Sequence, residues 1–353
     1  MISAEKKDFR ILSKDELTAA MVHLQEKPFR AKQLDEWLWK KGAASFDEMT
    51  NLSKELREKL KNNYFINSLS TDEKQVSKDG TIKLRFKTFD NHFVEGVLIP
   101  AEDRMTACLS SQVGCSLTCG FCATGKLERK RNLNFDEIFD QVVLINNESV
   151  AHYQKQLTNI VFMGMGEPLL NYGSVKKSIG KITSPEGLAM SPRRITISTA
   201  GIAKMIKKLA DDGVRIRLAL SLHAAIDEKR NTIMPINEQN NLASLVEAMN
   251  YFYKKTFNRI SFEYILFHKF NDSIEDARQL LKICQQVPAR VNLIEYNSVE
   301  GVAYNKSKED RTVYFCDFLN NHGITATIRR SRGKDIDAAC GQLANKSANV
   351  ITR

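Results

Sequence analysis

Three cysteines, Cys115, Cys119 and Cys122, fall within one short stretch in the order C-x3-C-x2-C. Three thiolates on a single loop can hold three irons of a [4Fe–4S] cluster. The fourth iron then keeps an open position for a small molecule, and an open position is what separates a reactive metal site from a structural one. A zinc site with a distant fourth ligand, or three reduced structural cysteines, would satisfy the same spacing. Tetrahedral zinc sites usually pair two-cysteine knuckles, and no second knuckle is present.

The chain has 7 cysteines, an odd count unlike a secreted disulfide scaffold. The simple expectation is a reducing cytoplasm, with the clustered thiols given to metal or redox chemistry. Cys284 and Cys316 lie in helical patterns and read as buried apolar filler. The first residues, MISAEKKDFRIL, are charged and lack the apolar run of a secretion signal. No stretch approaches the roughly 20 apolar residues of a membrane span. Lys and Arg number 52 against 42 Asp and Glu, a formal net charge of +10. That excess favours a polyanionic partner such as RNA or DNA, although many basic proteins bind neither.

These groups need a frame. At 353 residues the chain can bury one large core and a small accessory domain. From about residue 13 to 65, Leu17, Met21, Val22 and Leu24, then Leu34, Trp37 and Leu38, then Leu56 and Leu60 predict helices with basic residues between them. Such a unit suits RNA binding, or plain packing with a solvated face. Ile82, Leu84 and Phe86 alternate with polar residues before an Asp90-Asn91 turn and a strand from Phe93 to Ile99, which predicts a hairpin. From about residue 105 strands and helices alternate, with strands near 105–110, 158–163, 194–198, 215–222, 260–266, 290–295 and 324–329. The clearest helix covers 135–147, with Phe135, Ile138, Phe139, Val142 and Val143 on one face and an Asn134–Glu137 cap. Repeated strand–helix units predict a parallel sheet with helices outside it, closed as a partial or full barrel or left open. The cysteine motif follows the first of these strands.

With Phe121 before its last cysteine, the motif resembles the radical S-adenosylmethionine superfamily. The likeness implies an α/β fold, a partial (β/α)6 barrel, with the site at the C-terminal ends of the strands. It also implies one [4Fe–4S] cluster on Cys115, Cys119 and Cys122. S-adenosylmethionine would bind the open iron and be split to a 5′-deoxyadenosyl radical. Longer strings narrow the match: CLSSQVGC (108–115), FCATGK (121–126), FMGMGEPLLNY (162–172), SPRRITISTAG (191–201), LSLHA (220–224), MPIN (234–237) and DIDAACGQL (335–343). In this order they are similar to the dual-specificity adenine-C2 RNA methyltransferases of the RlmN family. The chain departs from the family at Glu128-Arg129, where glycine and an aromatic are usual.

The resemblance assigns cofactor contacts to Gly166 and Glu167 after the second strand and to Ser198 at the end of the third. It extends them to Ser221, Leu222 and His223 after the fourth and to Asn297 after the sixth. A lone serine or asparagine at such a position would otherwise read as loop capping. Adenine C2 is an electrophilic amidine carbon and cannot attack a sulfonium methyl group. In the family, one S-adenosylmethionine methylates a thiolate, here Cys340, and a second yields the radical that activates the S-methyl group for addition to C2. Cys108 then attacks the sulfur, forms a disulfide and frees the methylated RNA. Glu95 matches the family's proton acceptor from C2; a surface glutamate is its plain alternative.

The implied substrates are adenine 2503 of 23S rRNA and adenine 37 of tRNAs. An electron donor such as flavodoxin or ferredoxin, a cytoplasmic location, no membrane and a monomeric chain complete the expectation. Basic segments at Lys126 with Arg129-Lys130-Arg131, and at Arg329-Arg330 with Arg332 and Lys334, are candidates to hold the RNA backbone while the adenine is splayed out. The chain is expected to divide into a helical RNA-binding unit (1–70), a hairpin linker (71–100), the radical core (101–335) and a C-terminal segment (336–353) with Cys340. Rival readings are the related C8-methylating antibiotic-resistance enzyme, a non-catalytic RNA-binding iron–sulfur protein, and a radical enzyme for a small metabolite. GEPLLN, with Pro168 after the glutamate, resembles the C2 enzymes.

Overall fold

The computed structural model describes residues 6–346. Three helices open it: α1 (Lys14–His23), α2 (Arg30–Trp39) and α3 (Lys54–Asn63). Ser13 and Glu16 cap α1 reciprocally, and Ser53 caps α3. Such caps satisfy amide groups that the first turn leaves unpaired. Leu17, Met21, Leu34, Leu38, Leu56 and Leu60 are buried as the periodicity predicts. Val22 is not: it is 59% exposed. Adjacent helical residues point about 100° apart, so Met21 and Val22 cannot both face the core.

Arg10 ties this unit to the rest of the molecule. Its guanidinium is buried, pairs with Asp140 at 2.8 Å and donates to the Asn67 carbonyl at 2.9 Å. Trp39 covers it and also packs against Phe135 and Phe139. Apolar residues of the helices and of the sheet below belong to one continuous core.

The frame is a ten-stranded sheet whose strands lie in chain order. β1 (Ser70–Val76), β2 (Ile82–Lys87), β3 (Phe93–Ala101) and β4 (Arg104–Cys108) form an antiparallel meander. The expected hairpin is β2–β3, with Asn91 in the left-handed region at its turn (φ 62°). β1 escaped the sequence reading because it is mostly polar and exposed, a composition that protects a sheet edge from further pairing.

β4 also begins a parallel series with β5 (Asn159–Phe162), β6 (Ile195–Thr199), β7 (Arg217–Ser221), β8 (Ile260–Leu266), β9 (Ala289–Glu295) and β10 (Ala326–Arg329). The crossovers are α4 (Phe135–Tyr153), α5 (Tyr172–Thr183), α6 (Ala203–Asp211), α7 (Asp227–Ile233) with α8 (Leu242–Thr256), α9 (Ile274–Gln286) and α10 (Glu309–Asn321). Asn134 and Glu137 cap α4 as expected. Strands such as β8, buried on both faces, are what a parallel sheet covered by helices requires. β10 pairs only with β9, so the six strand–helix units and their last strand make a partial barrel. All C-terminal strand ends of the series open on one side, where the cysteine loop lies. No helix among the described residues is long and apolar enough to cross a membrane.

Candidate active site

The chain leaves β4 at Cys108 and makes a loop whose base is the antiparallel pair Gln112–Val113 and Arg131–Asn132. Gly114 turns it at φ 77°, where a Cβ would lie 2.3 Å from the Glu128 carbonyl oxygen. Only glycine fits so close an approach. Cys115, Cys119 and Cys122 line one cavity of about 160 Å³, with Glu167, Ser198, Ser221 and His223 on its other walls. Burial, with Cys122 and Glu167 nearby, pushes the Cys115 thiol up to about 11; burial raises Cys119 as well. Thiols so placed stay protonated until a metal displaces the proton. Among the described residues no three His, Cys, Asp or Glu side chains gather about a single ion position. A [4Fe–4S] cube instead gives each thiolate its own iron. The Leu117 amide donates to Cys115 Sγ at 3.4 Å, a contact that favours the thiolate form. The three residues fit a cluster.

The other strand ends are organised from behind. Gly166 sits at φ 93°, and a Cβ there would come within 2.5 Å of Gln112 Cβ. Glu167 accepts from the amides of Leu169 (3.0 Å) and Ala200 (2.7 Å). Burial raises its pKa while those two bonds oppose the rise. Ser198 and Ser221 hydroxyls lie 3.3 Å apart. His223 Nδ1 accepts from the Ile265 amide at 3.1 Å, which assigns the proton to Nε2. Burial and the Arg230 charge hold this histidine down to about 3, so it is neutral. Leu222 and Asn297 do not line the cavity. The Leu222 side chain is in the core and its carbonyl accepts from Arg230 Nε. Asn297 donates to the Cys340 carbonyl at 3.2 Å.

Cys340 arrives on the segment after β10, which folds back over the cysteine loop. Ala123 N–H donates to the Gly341 carbonyl at 2.8 Å, and Thr124 Oγ1 to the Leu343 carbonyl at 2.7 Å. Cys340 lines the cluster cavity and also a second cavity of about 190 Å³, shared with Cys108, Cys122, Met163 and Arg329. Its residue is exposed, yet protein surrounds the thiol closely enough for burial to raise its pKa; a side chain at the junction of two clefts meets both descriptions. Burial and Cys340 push Cys108 up to about 12. Arg329 opposes both rises and is itself held by Glu263 at 3.1 Å.

The basic segments expected to grip RNA are largely neutralised at this end. Arg329 turns inward to the thiols. Arg330 pairs with Glu295 (2.9 Å) and Glu309, and Lys334 with Glu295 (2.5 Å). Arg131 is held by Asp90 and Glu137, and Lys130 by Glu128. Charge clusters in a sequence do not reveal the acids that folding brings against them.

Glu95 is no surface residue: it is 1% exposed. It stands on the face of β3 shared by Val97, whose register partner is Cys108. Lys83 approaches its Oε1 at 3.3 Å, at an angle too poor for a hydrogen bond. Oε2 accepts from the amides of Ala344 (2.8 Å) and Asn345 (3.0 Å). Its carboxylate is thus tied to the segment that carries Cys340, and it lines neither thiol cavity.

Arg230 and Glu263 were missed. Buried Arg230 donates to the carbonyls of Ala200, Ser221 and Leu222 and to Asn237 Oδ1, locking three site loops together. Glu263 accepts from Ser261, Asn292 and Arg329. The signal was present: a glutamate inside the apolar run FEYIL of a two-sided strand must have buried partners.

Two family models match: Ribosomal RNA large subunit methyltransferase N-terminal domain over residues 8–66, and Radical SAM superfamily over 109–281. The chain is 57% identical to the "Probable dual-specificity RNA methyltransferase RlmN" of Christiangramia forsetii, covering 98% of this chain and 99% of that one. It is 42% identical to the "Dual-specificity RNA methyltransferase RlmN" of Campylobacter fetus, over 95% of this chain and 97% of the relative. A crystal structure of a radical SAM methyltransferase from Sphaerobacter thermophilus matches with a TM-score of 0.90 at 36% identity, covering 96% of this chain and 99% of that one.

Proposed function

Because the chain belongs to the RlmN family of dual-specificity RNA methyltransferases, we propose that it methylates C2 of adenine 2503 in 23S rRNA and of adenine 37 in tRNAs, carrying the methyl group first on Cys340. The observation that carries this reading is the meeting of Cys340 and Cys108 in one cavity whose wall also includes Cys122 of the cluster loop. Cys115, Cys119 and Cys122 would hold one [4Fe–4S] cluster. With that cluster and S-adenosylmethionine bound, two cofactor molecules per turnover supply a methyl group and a one-electron route to a carbon radical.

The chain's own groups supply the rest. Glu167 presents a carboxylate and Gly166 a close backbone for the cofactor's polar end, while Ser198, Ser221 and neutral His223 complete the wall; Leu222 acts from behind it, its carbonyl held by Arg230. Asn297 acts by fixing the Cys340 carbonyl. Arg329 favours the thiolates that must accept the methyl group and later form the disulfide. Once the methyl carbon is bonded to adenine C2, Glu95 takes the C2 proton. It can do so only after exchanging the Ala344 and Asn345 amides for the substrate. Cys108 Sγ, as the thiolate, then attacks Cys340 Sγ; the sulfur–carbon bond breaks with its electron pair passing to the carbon, which takes a proton to become the C2 methyl group, and the two sulfurs are left as a disulfide as the base leaves. A flavodoxin or ferredoxin is the electron donor of this reading, and a cytoplasmic monomer its form.

The test is anaerobic reconstitution followed by methylation of unmodified 23S rRNA and tRNA fragments, with mass spectrometric mapping of the product. Cys108→Ala should accumulate a covalent protein–RNA adduct through Cys340. Methyl at C8 overturns the C2 assignment. Cofactor cleavage without RNA methylation overturns the RNA reading.

A further inference from the structure

The opposite ends of the same strands carry a different charge pattern. Arg104 and Arg217 begin β4 and β7, Arg194 and Arg259 stand just before β6 and β8, and Arg290 is the second residue of β9. Strand pairing brings them side by side: Thr196 is in register with Arg217, and Ser261 with Arg290. Neighbouring strands are about 4.8 Å apart, so the arginines at the starts of β6 to β9 form a row, with Arg104 beyond β5 at its end. Arg193 and Arg215 add to it from the adjoining loops, where with Arg217, Arg259 and Phe257 they line a cavity of about 680 Å³.

None of these arginines has a carboxylate partner among the described residues, whereas Lys255 beside them is drawn to Asp211 at 3.5 Å. Burial and the charges of Arg259, Arg194, Arg104 and Arg290 hold the Arg217 pKa below the usual arginine range. Folding has gathered like charges and left them uncompensated, which costs free energy unless an anion joins them. Guanidinium groups are suited to phosphate oxygens, which they engage through paired N–H donors.

Phe257 narrows the kind of anion. It caps α8 in the left-handed conformation (φ 51°) and is 77% exposed, with Tyr253 edge-on to its ring at 6.1 Å. A bulky residue at positive φ is unusual, and this one holds an aromatic face in solvent among arginines. Aromatic rings between basic groups are how proteins hold unpaired nucleic acid, base on ring and phosphate on cation. An inorganic polyphosphate or an acidic peptide would leave the ring unused.

We propose that the N-terminal ends of the parallel strands form a second RNA site, which holds the backbone phosphates of a single-stranded segment on this arginine row and stacks one base on Phe257. The site lies a strand length from the cysteines. It therefore serves a part of a large RNA remote from the reacting adenine, or a separate strand.

The test uses the full, cluster-loaded chain and a labelled single-stranded RNA of about 12 nucleotides, within the span of such sites. Ultraviolet cross-linking with peptide mass spectrometry should yield an RNA-linked peptide containing Phe257. Arg215→Glu combined with Arg259→Glu, both at exposed positions, should remove that cross-link. The pair should also weaken binding at least about tenfold at 0.1 M salt and flatten the log–log salt slope by about 1.4, the share of two phosphate contacts. Phe257→Ser should weaken binding roughly tenfold with an unchanged slope. Cofactor cleavage without RNA should stay at the wild-type rate in every variant, which reports an intact fold. Cross-links confined to the cysteine end, or variants that bind like wild type, overturn the proposal. So does displacement by tripolyphosphate, at equal phosphate, with no effect of Phe257→Ser. These readouts need no methyl transfer, so they stand or fall separately from the proposed reaction.

Discussion

At the C-terminal ends of the parallel strands, Arg329, Arg330 and Lys334 meet Glu263, Glu295 and Glu309; at the N-terminal ends, Arg194, Arg217, Arg259 and Arg290 meet no carboxylate among the described residues. Both ends are rich in arginine, so composition does not distinguish them. Partners do. Where charge is paired it acts as structure, fixing loops and setting the environment of two thiols. Where it is unpaired it is available to a ligand. The net charge of +10 therefore has a location: the catalytic end consumes much of its own cation content, and the far end does not.

The contrast is sharpest at the thiols, where the largest effect is expected. Cys340→Ala should reduce RNA methylation at least about a thousandfold, because in the proposed reaction the other two thiols of the second cavity have different tasks, Cys122 holding the cluster and Cys108 forming the disulfide. Cofactor binding, followed by equilibrium dialysis, should change little. An unpaired acid provides the next test. Asp136 is fully buried, its carboxyl oxygens have no hydrogen-bond partner, and burial raises its pKa to about 7. The folded state thus keeps a proton that the unfolded chain releases near 4. Its contribution is full below about pH 4 and is lost as pH rises to about 7. Asp136→Asn should flatten that slope and stabilise the protein by about 2–4 kcal/mol at pH 8, read by denaturant unfolding.

Arg329→Gln should lower methylation roughly tenfold at neutral pH and move the pH–rate profile upward. Removing the cation lets burial raise both thiols, so the thiolate appears only at higher pH. Arg329→Lys should restore part of the activity, which a merely structural role would not require. The smallest effect breaks the symmetry of the two ends directly. At low salt Arg259→Gln should raise the melting temperature slightly by relieving like-charge repulsion, and Arg330→Gln, which loses Glu295 and Glu309, should lower it. Both differences should fade above about 0.5 M salt in thermal melts.

Much of the frame could be read in the sequence because its strands are apolar runs of four to seven residues, and its α4 helix begins at a recognisable cap. The cysteine loop could be read because its ligands are local. What escaped is what depends on long-range pairing. β1 carries no apolar signal, since an exposed edge needs none. Arg329 looked like one more basic residue until Glu263, sixty-six positions earlier, turned it toward the thiols. Glu95 is named by the resemblance, but nothing local in the sequence tells that the backbone of Ala344 and Asn345 closes over it. The arginine row is scattered over nearly two hundred positions and becomes a row only when β6 to β9 lie side by side, with β4 next but one to β6. Spacing in sequence encodes loops and helices; spacing across a sheet is encoded only by the whole fold.

The central claim is that Cys340 carries the methyl group and Cys108 later displaces it. Its most direct measurement is peptide mass spectrometry on the cluster-loaded protein after one turnover with S-adenosylmethionine and no RNA. A single added methyl is expected on the peptide containing Cys340 and none on Cys108. An unmodified Cys340, or a methyl group on Cys108 or on the cluster cysteines, would contradict it.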